Sequence, residues 1–132
     1  MDVSESVLFA NEMFYHAFST QNFEMMADLW AKNVAVACIH PGHPPLLSRE
    51  RILSSWKSIL GAGGVGHIEC RDPKVHLYAE VAFVVCYESL PEGYLLATNI
   101  FVQQEGHWKM VHHHVGPTAG QPQQSPLAQL NN

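Results

Sequence analysis

Four β-type segments follow one another through the second half of this chain with almost no room between them. They run from about Gly66 to Tyr78, Val81 to Leu90, Tyr94 to Gln104 and His107 to Val115. The breaks are Ala79-Glu80, Pro91-Glu92-Gly93 and Glu105-Gly106, which suit tight hairpins and leave no space for crossover helices. Segments joined this closely must pair antiparallel with their neighbours.

The first half reads differently. Asp2, with Glu5 three residues on, forms a capping-box pattern. Val7, Ala10, Phe14, Ala17 and Phe18 then recur at helical spacing through about Thr20. Asn22 is a cap for a short second helix carrying Phe23, Met26, Leu29 and Trp30. Val34 to Ile39 is β-branched and small, and reads as a strand that His40-Pro41-Gly42-His43-Pro44-Pro45 must end. Ser48 opens a third helix with Ile52, Leu53, Trp56, Ile59 and Leu60 on one side, stopped by Gly61-Ala62-Gly63-Gly64. Helices first and strands after predict an α+β fold: three N-terminal helices packed on one face of a curved antiparallel sheet. The domain is expected over residues 1–118, and the Pro/Gln-rich stretch 119–132 reads as a disordered tail.

Hairpin parity assigns side chains to faces. With Glu105-Gly106 as the loop, Asn99 is expected opposite His112 and Phe101 opposite Met110. Val84, Cys86 and Glu88 then share the helix side with Ala97, Asn99, Phe101, Trp108, Met110, His112 and His114. Phe83, Val85, Tyr87, Thr98, Ile100, Val102, Val111 and His113 fall on the other side. Both faces are largely apolar, although a sheet with one wet face alternates apolar with polar. The helices can cover only one face, so a second copy of the chain is the expected cover for the other.

Composition narrows the partners. Of 132 residues, 47% are hydrophobic and 14% charged, and seven Lys plus Arg against twelve Asp plus Glu give a net charge of −5. That balance argues against nucleic acid, whose phosphates call for clustered cations. No apolar run approaches the ~20 residues of a membrane span, so no membrane partner is expected. The three cysteines lack CxxC spacing and fit a reducing, cytoplasmic setting. GxSxG, Walker and dinucleotide motifs are absent from the sequence.

Trp56, Asp72-Pro73-Lys74-Val75-His76-Leu77, Ala97-Thr98-Asn99-Ile100-Phe101, Glu105-Gly106-His107-Trp108 and Val111-His112-His113-His114 together resemble the nuclear transport factor 2-like superfamily, and within it the SnoaL-like group. The second half also resembles the association domain of calcium/calmodulin-dependent protein kinase II. The resemblance spans about Val3 to Thr118. It implies a cone-shaped, cystatin-like fold with a pocket at its wide end and dimerisation through the sheet. Members include ketosteroid isomerases, polyketide cyclases and dehydratases, so the fold alone does not select a reaction.

Against that family, His40-Pro41 stands where the isomerases carry an Asp-Pro general base. An imidazole can move a proton near neutral pH, so acid–base work survives the exchange. Glu88 is expected on the helix side, where the kinase association domain holds pocket arginines; a carboxyl in an apolar cavity has a raised pKa. Asn99, at the depth of the isomerases' protonated Asp, is a candidate to hold an oxyanion, with Thr98 as its competitor. Phe14 falls at the place of the isomerases' first-helix Tyr, with Tyr15 beside it. The catalytic candidates are therefore His40, Asn99 and Glu88. Tyr15, Trp30, Cys38, Trp56, Cys86, Phe101 and His112 are the candidate ligand contacts, for a small hydrophobic molecule. Alternation sends His112 and His114 to one face and His113 to the other, so a His-x-His pair with His40 or Glu88 is a conceivable three-ligand set. The resemblance implies work without metal, and neither a metal nor any other cofactor is expected. The chemistry expected is cofactor-independent proton transfer beside a carbonyl, of the isomerase, cyclase or dehydratase type. The alternative is a non-catalytic ligand-binding or assembly module.

Overall fold

Each helix starts on a side chain that caps it. Asp2 Oδ1 accepts the Glu5 N–H at 2.8 Å, Asn22 Oδ1 that of Met25 at 3.0 Å, and Ser48 Oγ that of Arg51 at 3.2 Å. These caps satisfy backbone donors that the first turn leaves free. They open α1 (Val3–Ser19), α2 (Phe23–Leu29) and α3 (Arg49–Gly61). The structure, a computed structural model, describes residues 1–63 and 66–123. Gly64 of the expected glycine stop and the tail from residue 124 onward lie outside the described residues. Trp30, expected within the second helix, instead leaves it in an extended conformation and bridges Met110.

The strands are β1 (Ala37–Ile39), β2 (Glu69–Tyr78), β3 (Val81–Leu90), β4 (Gly93–Gln104) and β5 (His107–Pro117). Their order across the sheet is β1-β5-β4-β3-β2. All neighbours are antiparallel except β1 and β5, which run parallel, so the sheet is mixed. The last hairpin closes Gln104 on His107, and its two loop residues, Glu105 and Gly106, have φ of 52° and 79°. Two positive φ values define a type I′ turn, whose twist matches that of the flanking strands. Gly93, read from sequence as a turn residue, begins β4 and pairs with Leu90, leaving only Pro91-Glu92 in the loop.

Two bulges shape the sheet. On β2, Asp72 has φ of 53° and pairing skips from Arg71 to Lys74, which accommodates Pro73 on an edge strand. On β5, Phe101 pairs with Met110 but Ile100 pairs with His112, so Val111 is an extra residue. The added residue reverses the alternation beyond it. Asn99 therefore lies opposite His113, not His112. His113 and Val115 are buried towards the helices, while His112 is half-buried and His114 exposed on the outer face. The expected placement of these three histidines is thus corrected throughout.

The core lies between helices and sheet. Trp56 stacks edge-on against Phe14 (5.4 Å) and Phe18 (4.9 Å), joining α3 to α1. On the outer face Phe83, Val85, Ile100, Val102 and Val111 are half-buried, and His76 stacks on Phe83 at 4.4 Å. After β5 the chain turns back along the sheet. Gly120 lies so close to the Tyr87 hydroxyl that a Cβ would stand 2.6 Å from it, and the Gln123 N–H reaches Asp72 Oδ2 at 3.4 Å. Among the described residues, no helix is long and apolar enough to cross a membrane.

Candidate functional site

A cavity of about 750 Å³ opens between α3, the loop after β1 and the inner face of the sheet. Phe18, Leu46, Trp56, Ile59, Leu95 and Val115 supply most of its apolar wall. An apolar hollow of this size with a few converging polar groups is the usual form of a small-molecule site. A second cleft, of about 660 Å³, is lined by charged and amide side chains such as Lys32, Gln104 and Lys109.

His40 guards one side of the cavity. It follows β1 directly, and Pro41 turns the chain away after it. Its Nε2 lies 2.9 Å from Ser55 Oγ on α3, and its ring meets Trp56 edge-on at 5.1 Å. Burial, and to a lesser degree His43, lowers its pKa. The ring is therefore neutral near pH 7 and able to accept a proton.

Glu88 and His113 project from β3 and β5 at the floor. Glu88 is 3% exposed, and its Oε2 accepts the Tyr15 hydroxyl at 2.7 Å. Burial pushes the Glu88 carboxyl up to about 7, opposed only partly by that bond. His113 Nε2 stands 3.9 Å from Glu88 Oε2, too far for a direct hydrogen bond. His113 Nδ1 lies 2.5 Å from Asn99 Oδ1. Asn99 Nδ2 donates to Asn11 Oδ1 at 2.9 Å and to Tyr15 Oη at 3.2 Å. With the amide oriented by those two acceptors, the Nδ1 proton must reside on His113. His113 Nε2 is then a bare acceptor beside the cavity. Burial, followed by the neighbouring His40, His112 and His114, pushes the His113 imidazole down to about 3.

The candidates read from sequence separate into four groups. His40, Glu88 and Trp56 line the cavity. Tyr15 and Asn99 stand behind it, tied to Glu88 and His113, and Cys86 lies 3.4 Å from the Tyr15 hydroxyl. Trp30, Cys38 and Phe101 are fully buried core residues outside the cavity lining; burial pushes the Cys38 thiol up to about 12. His112 lies on the opposite face of the sheet and does not reach the cavity. Asn99 does face inward, but both of its amide hydrogens are engaged by Asn11 and Tyr15. It orients its neighbours and has no donor left for an oxyanion. His112 and His114 share a face away from His40 and Glu88, so these side chains do not converge.

Sequence reasoning missed His113, Ser55 and Asn11. Asn11 carried a signal, since it falls on the apolar stripe of α1 between Val7 and Phe14. A polar residue there must find buried partners. Tyr15, only weakly favoured by the family pattern, proves to be the side chain that joins α1 to Glu88.

Comparison with known proteins agrees with this architecture. Residues 7–119 match the SnoaL-like domain family. A Streptomyces avermitilis protein of the NTF2-like family, provisionally named a dehydratase, superposes with a TM-score of 0.77 at 28% identity, over 89% of this chain and 97% of that one. A provisionally named type II calcium/calmodulin-dependent protein kinase association domain from Thiobacillus denitrificans gives 0.74 at 30% identity, over 83% and 92%. A Caulobacter vibrioides protein with a cystatin-like fold gives 0.73 at 16% identity, over 98% and 94%, a likeness of fold alone. The F-box protein SKIP8 of Arabidopsis thaliana is 24% identical over 113 residues, or 84% of this chain. The match covers 49% of that protein, so the chain spans about half the length of this curated relative.

Proposed function

This chain belongs to the SnoaL-like domain family, and from that premise we propose that it catalyses cofactor-independent proton transfer on an apolar, carbonyl-bearing small molecule. Dehydration of a β-hydroxycarbonyl compound fits the groups best. The observation that carries this reading is the hydrogen-bonded chain Glu88–Tyr15–Asn99–His113 beneath an apolar cavity whose other side holds His40.

In this reading neutral His40 removes the proton next to the carbonyl. Ser55 holds the ring by its hydrogen bond. Glu88, with a pKa raised to about 7, still carries a proton in a useful fraction of molecules near neutral pH and supplies it to the departing hydroxyl or the carbonyl oxygen. Tyr15 holds the carboxyl in place, and Asn99 fixes the His113 tautomer so that its bare Nε2 can accept a hydrogen bond from the ligand. The similarity to a provisionally named dehydratase supports the reaction class.

The test is turnover of a panel of β-hydroxyketones, followed by the absorbance of the enone formed. Activity lost in both His40→Ala and Glu88→Gln, with folding retained, supports the assignment. Full activity in either variant removes that residue from the mechanism.

A second reading has its own support. The outer sheet face carries Phe83, Val85, Ile100, Val102 and Val111, and one similar structure is named an association domain. We propose that a second copy of the chain covers this face, whether or not the cavity turns a substrate over. Sedimentation as a dimer that Ile100→Lys dissociates supports this; a wild-type monomer at micromolar concentration contradicts it.

A further inference from the structure

We propose that the ligand of this cavity is an amphipathic carboxylic acid, its carboxylate held at the rim by Arg51 and its apolar body lying inside. The inference rests on reading the cavity as a ligand site and adds the chemical class of the ligand.

The rim is built from one stripe of α3. Arg51, Ser54, Ser55 and Ser58 stand at i, i+3, i+4 and i+7, and all four line the cavity, as residues at that spacing share a helix face. His40 and His43 complete the rim from the loop after β1. Every one of these side chains can donate a hydrogen bond. Glu88 is the single acid in the lining, although the chain carries twelve acids and a net charge of −5. A mouth free of carboxylates is therefore a local departure from the rest of the molecule.

Most of the other cations are engaged or stand elsewhere. Lys57 Nζ lies 5.8 Å over the Phe23 ring. Lys32, which like Arg51 makes no ion pair among the described residues, lines the second cleft and not this cavity. Arg71, Lys74 and Lys109 each sit on a carboxylate, at 3.2, 3.1 and 3.4 Å, and Arg49 donates to the Ala27 carbonyl at 2.8 Å. Arg51 makes no ion pair among the described residues. Glu50 precedes it by one position, which turns its side chain ~100° around the helix. Beyond the rim the wall is apolar, with Phe18, Leu46, Ile59 and Leu95, so a charged group would stop at the mouth and a hydrocarbon portion would enter. Arg51 is exposed, and even there a guanidinium paired with a carboxylate outweighs the same contact with a neutral hydroxyl.

Binding of decanoate and of 1-decanol to the full chain near neutral pH, measured by titration calorimetry in wild type and Arg51→Gln, tests this. Wild type should hold decanoate about fivefold more tightly than decanol, the scale of one partly exposed charge-assisted contact. Arg51→Gln should remove that difference by weakening decanoate alone, and added salt should erode it in wild type. Equal affinities in wild type, or unchanged decanoate binding in the variant, overturn the carboxylate assignment while leaving an apolar ligand cavity standing. Failure of both probes to bind overturns the cavity reading with it.

Discussion

Replacing Glu88 by Gln should change how stability responds to pH in a way that can be worked out in advance. In the folded chain the Glu88 carboxyl is pushed from 4.5 to about 7 by burial; in the unfolded chain it is an ordinary carboxylic acid. Between those two pH values the folded state holds more protons than the unfolded state, so stability falls as pH rises. At about 1.4 kcal/mol per pH unit, the displacement corresponds to a loss of about 3 kcal/mol, complete above pH 7. Glutamine keeps the shape and an oxygen for the Tyr15 hydroxyl but has nothing to ionise. The stability of Glu88→Gln minus that of wild type should therefore rise by about 3 kcal/mol from pH 4.5 to pH 8. His113 acts in the opposite direction, because a neutral imidazole held at about 3 costs stability as pH falls below its ordinary range. That contribution is common to both proteins and drops out of the difference. Urea unfolding at intervals across this range reads it directly. A difference that stays flat with pH would refute the claim that Glu88 is a buried acid poised near neutrality.

Two further outcomes follow from the same geometry. Asn99→Leu would strip partners from Asn11 Oδ1, the Tyr15 hydroxyl and His113 Nδ1 together, and should cost about 3–5 kcal/mol in urea unfolding; a loss below about 1 kcal/mol would mean that the network relaxes freely. For the proposed dehydration, kcat/KM should fall above pH 7 as Glu88 loses its proton, and also at acid pH as His40 gains one below its ordinary range. In Glu88→Gln the alkaline limb should vanish from whatever rate remains.

Much of the fold is legible in the amino-acid sequence. A two-residue loop leaves a hairpin little choice of register, which is why Phe101 opposite Met110 follows from Glu105-Gly106. Across Pro91-Glu92-Gly93 the sequence yields only the shared face of Cys86 and Ala97, and their direct pairing comes from Gly93 joining the strand. The helix starts are equally plain, because Asp2, Asn22 and Ser48 are capping residues placed just before apolar periodicity. The bulge at Val111 is not legible. No glycine or proline marks it, and His112-His113-His114 gives the same pattern in either phase of a strand. Only the need to bury both Met110 and Val115, an odd number of residues apart, points to a change of face. The site inherits this limit. Glu88 can be found because its face follows from a hairpin, and His40 because the family resemblance singles out the residue before Pro41 at a strand end. Uninterrupted alternation, by contrast, puts His113 on the wrong side and His112 in its place. For Asn99 alternation gives the right face, but its role depends on Asn11 and Tyr15, 88 and 84 positions away in the chain. No local pattern reports such a pairing.

Imidazole resonances, followed by NMR while 1-indanone is titrated into the protein, provide the most direct check on the hollow beneath α3. An apolar ketone seated there should move the ring signals of His40 and His113 and leave those of His112 and His114 in place. Shifts confined to His112 and His114, or no saturable shift at all, would contradict the account.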